Sequence, residues 1–202
     1  MARFDPTLAS RLSEGLVCRA LETPDEIDQV QALLYRTFVE EIPHHAPSPD
    51  RRLVDRFHEE NQYFGCLRDG LLLGSIAYRD RRPFSLDQKL PDLDAMIPQG
   101  RRWCEVRLLA VAPDARHTHV SALLLSCLVH HALAHGRDAG LLSGTTLQLP
   151  FYRHLGCQPF GPLVGREGAL FQPMWILLET FMKRVGKVLK IPDASRAPIR
   201  TP

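Results

Sequence analysis

Residues 104–144 read CEVRLLAVAPDARHTHVSALLLSCLVHHALAHGRDAGLLSG, and their pattern of apolar and polar residues is the strongest indication of the fold. The apolar run from Cys104 to Val111 predicts a strand, and the turn-rich connector APDARHTHVS follows it. ALLLSCLVHHALAHG predicts a helix that ends at Gly136, and residues 139–144 predict a second buried strand. In such a unit the helix begins at the carboxyl end of the first strand, so its free amides and dipole can bind an anion. An ordinary crossover with a polar loop has the same pattern.

The preceding segments supply more strands and two helices. GLVCRAL at residues 15–21 predicts a short strand, and the capping box that begins at Thr23 starts a helix that runs to about Glu40. RRLVDRFHEEN at residues 51–61 predicts a second, more polar helix. YFGCLR and LLLGSIAY flank Asp69-Gly70, a dipeptide that favours the type I′ turn of a two-residue hairpin.

The following segments extend the same alternation of strands and helices. A charged insert with several prolines, residues 79–102, predicts a loop with a short helix. TTLQLPFYRHLG predicts a short helix, and ALFQPMWILLETF predicts a final strand at residues 169–181. The whole series predicts an α/β fold, a mixed sheet with helices on both faces. We expect a single domain over residues 15–182, with a polar arm at residues 1–14 and a basic tail at residues 183–202.

The composition excludes several classes of protein. The chain has 202 residues with 25 Lys and Arg against 23 Asp and Glu, a net charge of +2, so we expect no nucleic-acid partner. The longest apolar run, at residues 122–129, is far shorter than a membrane span, so we expect no transmembrane segment. The five cysteines form no CxxC pair, and the N-terminus lacks the apolar core of a signal peptide, which together predict a reduced, cytoplasmic protein.

A tyrosine four residues before a glycine lies between the last helix and the next strand, in FYRHLGCQPFG. This segment resembles the Tyr-x-x-x-Gly-Phe signature of the GCN5-related N-acetyltransferase superfamily. The resemblance implies a mostly antiparallel central sheet that is splayed at its middle strands. It also implies that the strand–loop–helix unit binds the pyrophosphate of coenzyme A or the phosphate of a pantetheine arm. Tyr152 would then face the thioester sulfur as a general acid.

A second set of segments resembles a narrower group of enzymes. YRTFVEE, DRFHEEN, RRPFSLDQKL, EVRLLAV, SGTTLQLPFYRHLG and FQPM together are similar to long-chain N-acyl amino acid synthases and to N-acylhomoserine lactone synthases. Those families move a fatty acyl chain from an acyl carrier protein or acyl-CoA to an amine. Residues at positions that match the families' site are Arg36, Phe38, Asp55, Glu105 and Arg107.

The resemblance assigns the donor site to the loop that precedes the central helix. Its residues are Arg116, His117, Thr118, His119, Val120 and Ser121. His119 and Ser121 stand where the superfamily carries glycine or another small residue, and their side chains would crowd a pyrophosphate. A carrier-protein phosphopantetheine, with one phosphate, tolerates this change better than coenzyme A. We expect acyl-CoA or acyl-phosphopantetheine as a co-substrate, with no tightly bound cofactor, and Thr145 and Thr146 either contact the pantetheine amides or cap the next helix.

Three positions are candidates for the chemistry. Glu105 opens an otherwise apolar strand, so it either accepts a proton from the incoming ammonium or pairs with a nearby arginine. Tyr152 either protonates the departing thiolate or is a half-buried aromatic whose hydroxyl has a backbone partner. The backbone N–H of Val111, at the end of a splayed strand, would stabilise the oxyanion of the tetrahedral intermediate.

The acceptor and metal hypotheses rest on weaker patterns. Arg82 and Asp87 could bind the carboxylate and ammonium of an acceptor, and surface charge pairs explain them equally well. His131 and His135 have the spacing of a metal pair, but Ala132 follows where an HExxH motif has glutamate. We therefore predict no metal site.

Together the residues and the resemblance predict an acyltransferase. A thioester donor and a small amine, possibly an amino acid, would react directly in a ternary complex, with an acyl carrier protein as a possible partner. The basic tail could dock such an acidic carrier. Three alternatives remain at this point: a catalytically silent module that binds an acyl ligand, an N-acetyltransferase that uses acetyl-CoA, and a metal-dependent hydrolase that uses the histidines.

Overall fold

A computed structural model describes residues 15–43, 45–116, 118–166 and 168–186. The predicted N-terminal arm and most of the predicted basic tail lie outside this part of the chain. The described strands are β1 (Val17–Ala20), β2 (Gln62–Arg68), β3 (Leu71–Arg79), β4 (Trp103–Val111), β5 (Ala139–Thr145), β6 (Gln158–Pro159), β7 (Val164–Arg166) and β8 (Ala169–Leu177). They form one eight-stranded sheet in the order β1-β2-β3-β4-β5-β8-β6, with β7 paired to β8.

The α-helices are α1 (Pro24–Tyr35), α2 (Leu93–Met96), α3 (Val120–Ala134), α4 (Leu149–Leu155) and α5 (Leu178–Phe181). Thr23 and Glu26 form the predicted capping box of α1, which continues as one π-helical turn, Arg36–Glu41. A second π-helical turn, Met182–Gly186, follows α5. Short 3₁₀ turns lie at His58–Glu60, Pro113–Ala115 and Thr146–Gln148.

The fold class is confirmed. Every strand pair is antiparallel except β4 and β5, and helices cover both faces of the sheet. The helix α3 packs on one face, against Phe64 and Ile76, while α1 packs on the other, against Tyr63 and Ala77. The residues of the β2–β3 hairpin alternate between the two cores, as the two-residue period of a strand requires.

Two predictions of secondary structure were wrong. Residues 51–61 form an extended segment followed by one 3₁₀ turn, because Phe57 is buried and Asp55 binds an arginine of β4. A free polar helix could not place both side chains there. The final strand ends at Leu177 rather than at residue 181, and α5 follows it.

The insert between β3 and β4 covers the sheet beside α1. Its apolar residues Phe84, Leu86, Leu90 and Leu93 are buried against Leu141 of β5. This packing brings the middle of the insert to the edge of the functional site.

The central strands separate after a short stretch of pairing. The parallel pair β4–β5 begins at Trp103 and Ala139 and ends at Glu105 and Leu141, although both strands continue beyond those residues. A bulge in β4 at Leu108, which has a φ of +55°, shifts the register against β3. The sheet is therefore splayed between residues 106–111 and residues 142–145, as predicted.

Candidate active site

A cleft of about 1020 Å³ occupies the gap between the two splayed strands. One wall is formed by residues 106–111 of β4, and Ser143 and Thr145 of β5 lie on the opposite side. Four other segments complete the lining: the π-helical turn Arg36–Glu41, the extended segment at residues 53–56, the insert and the β7–β8 hairpin. The cleft therefore reaches from the amino-terminal half of β4 to the start of α3.

Glu105 lies behind the cleft wall rather than on it. It is buried, with 1 % of its surface exposed, and its two carboxylate oxygens accept hydrogen bonds from the backbone N–H of Ser85 at 2.9 and 3.0 Å. The Ser85 hydroxyl also donates to Glu105. Because Ser85 lines the cleft, its hydroxyl connects the buried carboxylate with the space that a substrate would occupy.

Arg107 joins the two acidic residues predicted for the site. Its guanidinium donates two hydrogen bonds to Asp55, at 2.6 and 2.9 Å, and its Nε lies 3.7 Å from Glu105 Oε2. Asp55 also accepts from the side chain of Asn61 at 2.9 Å. Burial by itself would raise the pKa of Asp55, but the hydrogen bonds and charge of Arg107 outweigh it and lower that pKa.

Phe57 supports this cationic end of the cleft. The guanidinium groups of Arg79, Arg56 and Arg107 lie 3.8, 4.7 and 4.8 Å from the centroid of its ring. Arg79 is almost fully buried and pairs with Glu60. The aromatic ring thus fixes the positions of several arginine side chains at the end where β4 and β5 are still paired.

The backbone of Val111 points away from β3 and towards the cleft. The N–H of Ala112 donates to the Leu73 carbonyl at 2.9 Å, so the adjacent pair of Gly74 and Val111 occupies a non-hydrogen-bonded position of the ladder. The Val111 carbonyl instead accepts from Arg116 Nε at 3.1 Å. The geometry leaves the Val111 N–H directed into the gap, where the sequence predicts an oxyanion donor.

Tyr152 lines the cleft from the middle of α4. Its ring lies over Gly144, where an added Cβ would be 2.6 Å from a ring carbon. Within the described part of the chain, no group hydrogen-bonds to the Tyr152 hydroxyl. Burial raises the pKa of Tyr152 to about 12, so the phenol keeps its proton at neutral pH.

A smaller apolar cavity of about 80 Å³ opens from the cleft beside Ser143 and Tyr152. It extends under α3 and α4 into the main core, and its inner walls include Ile76, Leu128 and Phe181. The cavity and the insert lie on opposite sides of the separated strands. An apolar chain that enters between β4 and β5 would therefore reach the cavity.

Two of the five donor-loop positions that the structure describes meet the cleft. Arg116 and Ser121 line it, and the Arg116 guanidinium pairs with Glu41. Thr118 accepts a hydrogen bond from the N–H of Val120 and donates to the Ala115 carbonyl, which fixes the start of α3, and Val120 is buried in the core. His119 is the first residue before the helix, and His117 lies outside the described residues.

The other predicted residues divide between the cleft and the surface. Phe38, Arg107 and Thr145 line the cleft, whereas Thr146 begins the 3₁₀ turn before α4. The structure does not bring Arg36, Arg82 and Asp87 to the cleft. Arg36 lies 3.7 Å from Glu41, and Arg82 pairs with Asp87 and with Asp94 on the exposed face of the insert.

Sequence reasoning did not identify Ser85, Lys89 and Arg56, although all three line the cleft. Ser85 and Lys89 belong to the segment RRPFSLDQKL, which the sequence analysis singled out without selecting these positions. Nothing local marks these three positions. Ser85 and Lys89 reach the cleft because the insert packs against β5, and Arg56 reaches it because the extended segment is held by Phe57 and by the pair of Asp55 with Arg107. Among the described residues, no group of three or more His, Cys, Asp or Glu side chains could hold a metal ion. None of the helices in this part of the chain has the length and apolar character needed to cross a membrane.

Comparison with known proteins agrees with this geometry. The family model for the N-acyl amino acid synthase FeeM matches residues 29–176. No curated protein sequence matches the chain.

Several solved structures share the fold. One is BjaI, described as a CoA-dependent acyl-homoserine lactone synthase with SAM and isopentyl-CoA (TM-score 0.72, 20 % identity, 89 % of this chain and 92 % of that chain). Another is FeeM from uncultured soil microbes (TM-score 0.65, 21 % identity, 88 % and 98 %). A third is a protein from Lactobacillus plantarum that is described as an N-acetyltransferase (TM-score 0.59, 17 % identity, 82 % of this chain and 99 % of that chain).

Proposed function

The chain belongs to the FeeM family of N-acyl amino acid synthases, and from that premise we propose that it transfers an acyl chain longer than acetyl from a pantetheine thioester to a small amine. It is an N-acyltransferase. The apolar cavity that opens from the cleft beside Tyr152 is the observation that supports an acyl group longer than acetyl. About 80 Å³ corresponds to roughly five to eight water-sized positions, which exceeds the needs of an acetyl methyl group.

The donor would lie in the gap between the separated strands. We expect its phosphate to lie at the start of α3, where free helix amides favour an anion and Ser121 lines the cleft. Ser143 and Thr145 line the cleft, and their buried hydroxyl oxygens have no hydrogen-bond partner among the described residues, so both are candidate partners for the pantetheine amides. Coenzyme A and a carrier-bound phosphopantetheine share this chemistry, and comparing the two donors at matched concentration tells which one the chain uses.

In the reaction, the amine nitrogen forms a bond to the thioester carbonyl carbon and the carbon–sulfur bond breaks. The N–H of Val111 stabilises the oxyanion of the tetrahedral intermediate, and one such donor is typically worth about 3–4 kcal/mol. The products are an amide, a thiol and one proton released from the ammonium.

Protons leave the amine through Ser85. Its hydroxyl already donates to Glu105, so it can accept a proton from the ammonium as its own proton moves to the carboxylate. Tyr152 acts on the leaving group. Because its pKa is about 12 and that of a thiol is about 8.5, the phenol stabilises the departing thiolate by a hydrogen bond, and the thiolate takes its proton from the nitrogen of the collapsing intermediate.

A panel of thioesters tests the proposal. Acetyl-, butanoyl-, octanoyl- and dodecanoyl-CoA and the matching carrier-protein thioesters are incubated with amino acids and simple amines, and thiol release and the N-acyl product are measured. We expect the highest kcat/KM with a chain longer than acetyl. A preference for acetyl-CoA, or binding without thiol release for every acceptor, would contradict it.

The role of Tyr152 has its own test. Tyr152→Phe should lower the chemical step about 100-fold with little change in donor affinity. Tyr35→Phe, a buried tyrosine of α1 outside the cleft, is the matched control.

The cytoplasmic location and the absence of a nucleic-acid partner stay predictions of the sequence.

A further inference from the structure

Two cations line the cleft near Arg107 without a carboxylate partner. Arg107 is paired with Asp55 and Arg116 with Glu41, but neither Arg56 nor Lys89 forms an ion pair with any described residue. Arg56 only stacks on the ring of Phe57. Unpaired positive charge in a concave site is a feature that an anionic ligand group would complete.

The surroundings of Lys89 have an excess of positive charge. Its ammonium lies 5.7 Å from the centroid of the Phe171 ring and is close enough to Arg107 and Arg56 to be repelled by both. Partial removal from water lowers the pKa of Lys89, and the repulsion from the two arginines lowers it further, although Glu105 and Asp55 act in the opposite direction. A bound carboxylate would relieve this repulsion.

The position of the two cations separates them from the donor phosphate. They lie near Arg107, whereas the phosphate site at the start of α3 lies beyond Val111. The four residue steps of β4 from Arg107 to Val111 span about 13 Å. The pantetheine arm runs between these two ends, so the cations face the side of the thioester from which an acceptor would enter.

We propose that Lys89 and Arg56 bind the carboxylate of an amino-acid acceptor and so select amino acids over amines that lack this group. This inference rests on the proposed function, because it concerns the acceptor of that reaction. Ser85 lies in the same insert as Lys89 and faces the same cleft. A carboxylate held by Lys89 and Arg56 would therefore keep the amino group of the same small molecule near the Ser85 hydroxyl.

The test compares each amino acid with its decarboxylated amine. Using octanoyl-CoA as donor, we would measure kcat and KM for the best accepted amino acid and for the amine that lacks its carboxylate. Lys89→Met and Arg56→Met should each raise the KM for the amino acid about 10- to 100-fold, the usual range for a charge-assisted hydrogen bond. The KM for the amine and the KM for octanoyl-CoA should stay within about twofold. Lys89→Arg should restore most of the amino-acid affinity, and Lys183→Met, an exposed lysine after α5, should change nothing.

Each contrary result has a distinct meaning. An equal rise in KM for the amino acid and the amine would overturn the carboxylate site, and so would a wild-type preference for the amine. A rise in KM for octanoyl-CoA alone would assign the two cations to the donor phosphate instead. If the wild-type protein transfers no acyl group at all, the proposed function fails, and calorimetric titration with the amino acids decides the carboxylate site independently. Binding by the wild-type protein that Lys89→Met weakens supports the site, and no binding by the wild-type protein rejects it.

Discussion

At the scale of single residues, the ion pair of Asp55 and Arg107 is the most consequential contact in the site. Their side chains are 9 % and 13 % exposed, so neither charge is well hydrated if its partner is lost. Asp55→Asn should lower the free energy of unfolding by about 3 kcal/mol and also reduce kcat/KM. The matched control is Asp28→Asn, which removes a more exposed two-bond pair with Arg52 and should change stability by less than about 1 kcal/mol. Urea unfolding at pH 7 measures both.

The same pair predicts a pH dependence with a definite sign. The pKa of Asp55 is lower in the folded protein than its ordinary value, so its carboxylate stabilises the fold above about pH 4 and loses this contribution as the pH falls through the folded-state pKa. The stability difference between wild type and Asp55→Asn should therefore be constant at neutral pH and shrink in acid. Glu26, whose pKa Arg19 lowers to about 2, titrates in both proteins and cancels. A difference that grows in acid would contradict this account.

Gly144 is required by the position of Tyr152. A methyl group at Gly144 would meet the tyrosine ring at 2.6 Å, whereas one at Gly140 on the same strand meets its nearest atom at 3.4 Å. Gly144→Ala should displace the ring, lower kcat by at least about tenfold and destabilise the fold by about 1–3 kcal/mol. Gly140→Ala should leave kcat nearly unchanged. If both variants have wild-type kcat, the ring position does not limit the reaction.

At the scale of elements, the sequence predicted those features that depend on local residues and missed those that depend on tertiary packing. The hairpin was predictable because the Asp69-Gly70 turn depends on backbone conformation alone. The polar helix predicted at residues 51–61 was wrong because Asp55 and Phe57 gain more from contacts with Arg107 and the core than from helical hydrogen bonds. Tyr152 and Val111, which both line the cleft, could be selected from the sequence because a motif and a strand end mark them. Ser85, Lys89 and Arg56 reach the cleft only through tertiary packing, which leaves no pattern in the local sequence.

The hairpin turn gives a test confined to one element. Gly70 has a φ of +80°, and an added Cβ would contact nothing within 4 Å, so a substitution there introduces backbone strain without a clash. Gly70→Ala should lower the free energy of unfolding by about 1–2 kcal/mol. The turn is not part of the cleft, so kcat should be unchanged. Thermal unfolding and steady-state kinetics of the same preparation provide the two measurements, and a loss of activity in the folded protein would show that the turn affects the site.

At the scale of the whole molecule, the donor would bridge two halves of the sheet whose pairing through β4 and β5 ends at Glu105 and Leu141. A non-reactive octanoyl thioether of pantetheine phosphate should slow amide hydrogen exchange on both sides of the gap, at residues 109–111 and 142–145. At a concentration of 100 times Kd it should stabilise the folded state by about 2.7 kcal/mol. Exchange in the β2–β3 turn serves as the internal control. Slower exchange on one side only would mean that the ligand does not lie between the strands.

The small cavity beside Tyr152 has walls that also belong to the main hydrophobic core. With about 24 cal/mol for each Å³ of void, an unfilled space of this size weakens the folded state by about 2 kcal/mol, and a hydrocarbon tail that occupies it reverses that loss. Any substitution of Leu128 or Phe181 that makes room for a longer tail would hollow out the packing between α3, α5 and the sheet. If this cavity holds the acyl tail, the same few side chains control both selectivity for tail length and resistance to unfolding, so variants that accept longer tails should melt at lower temperatures until the tail is bound.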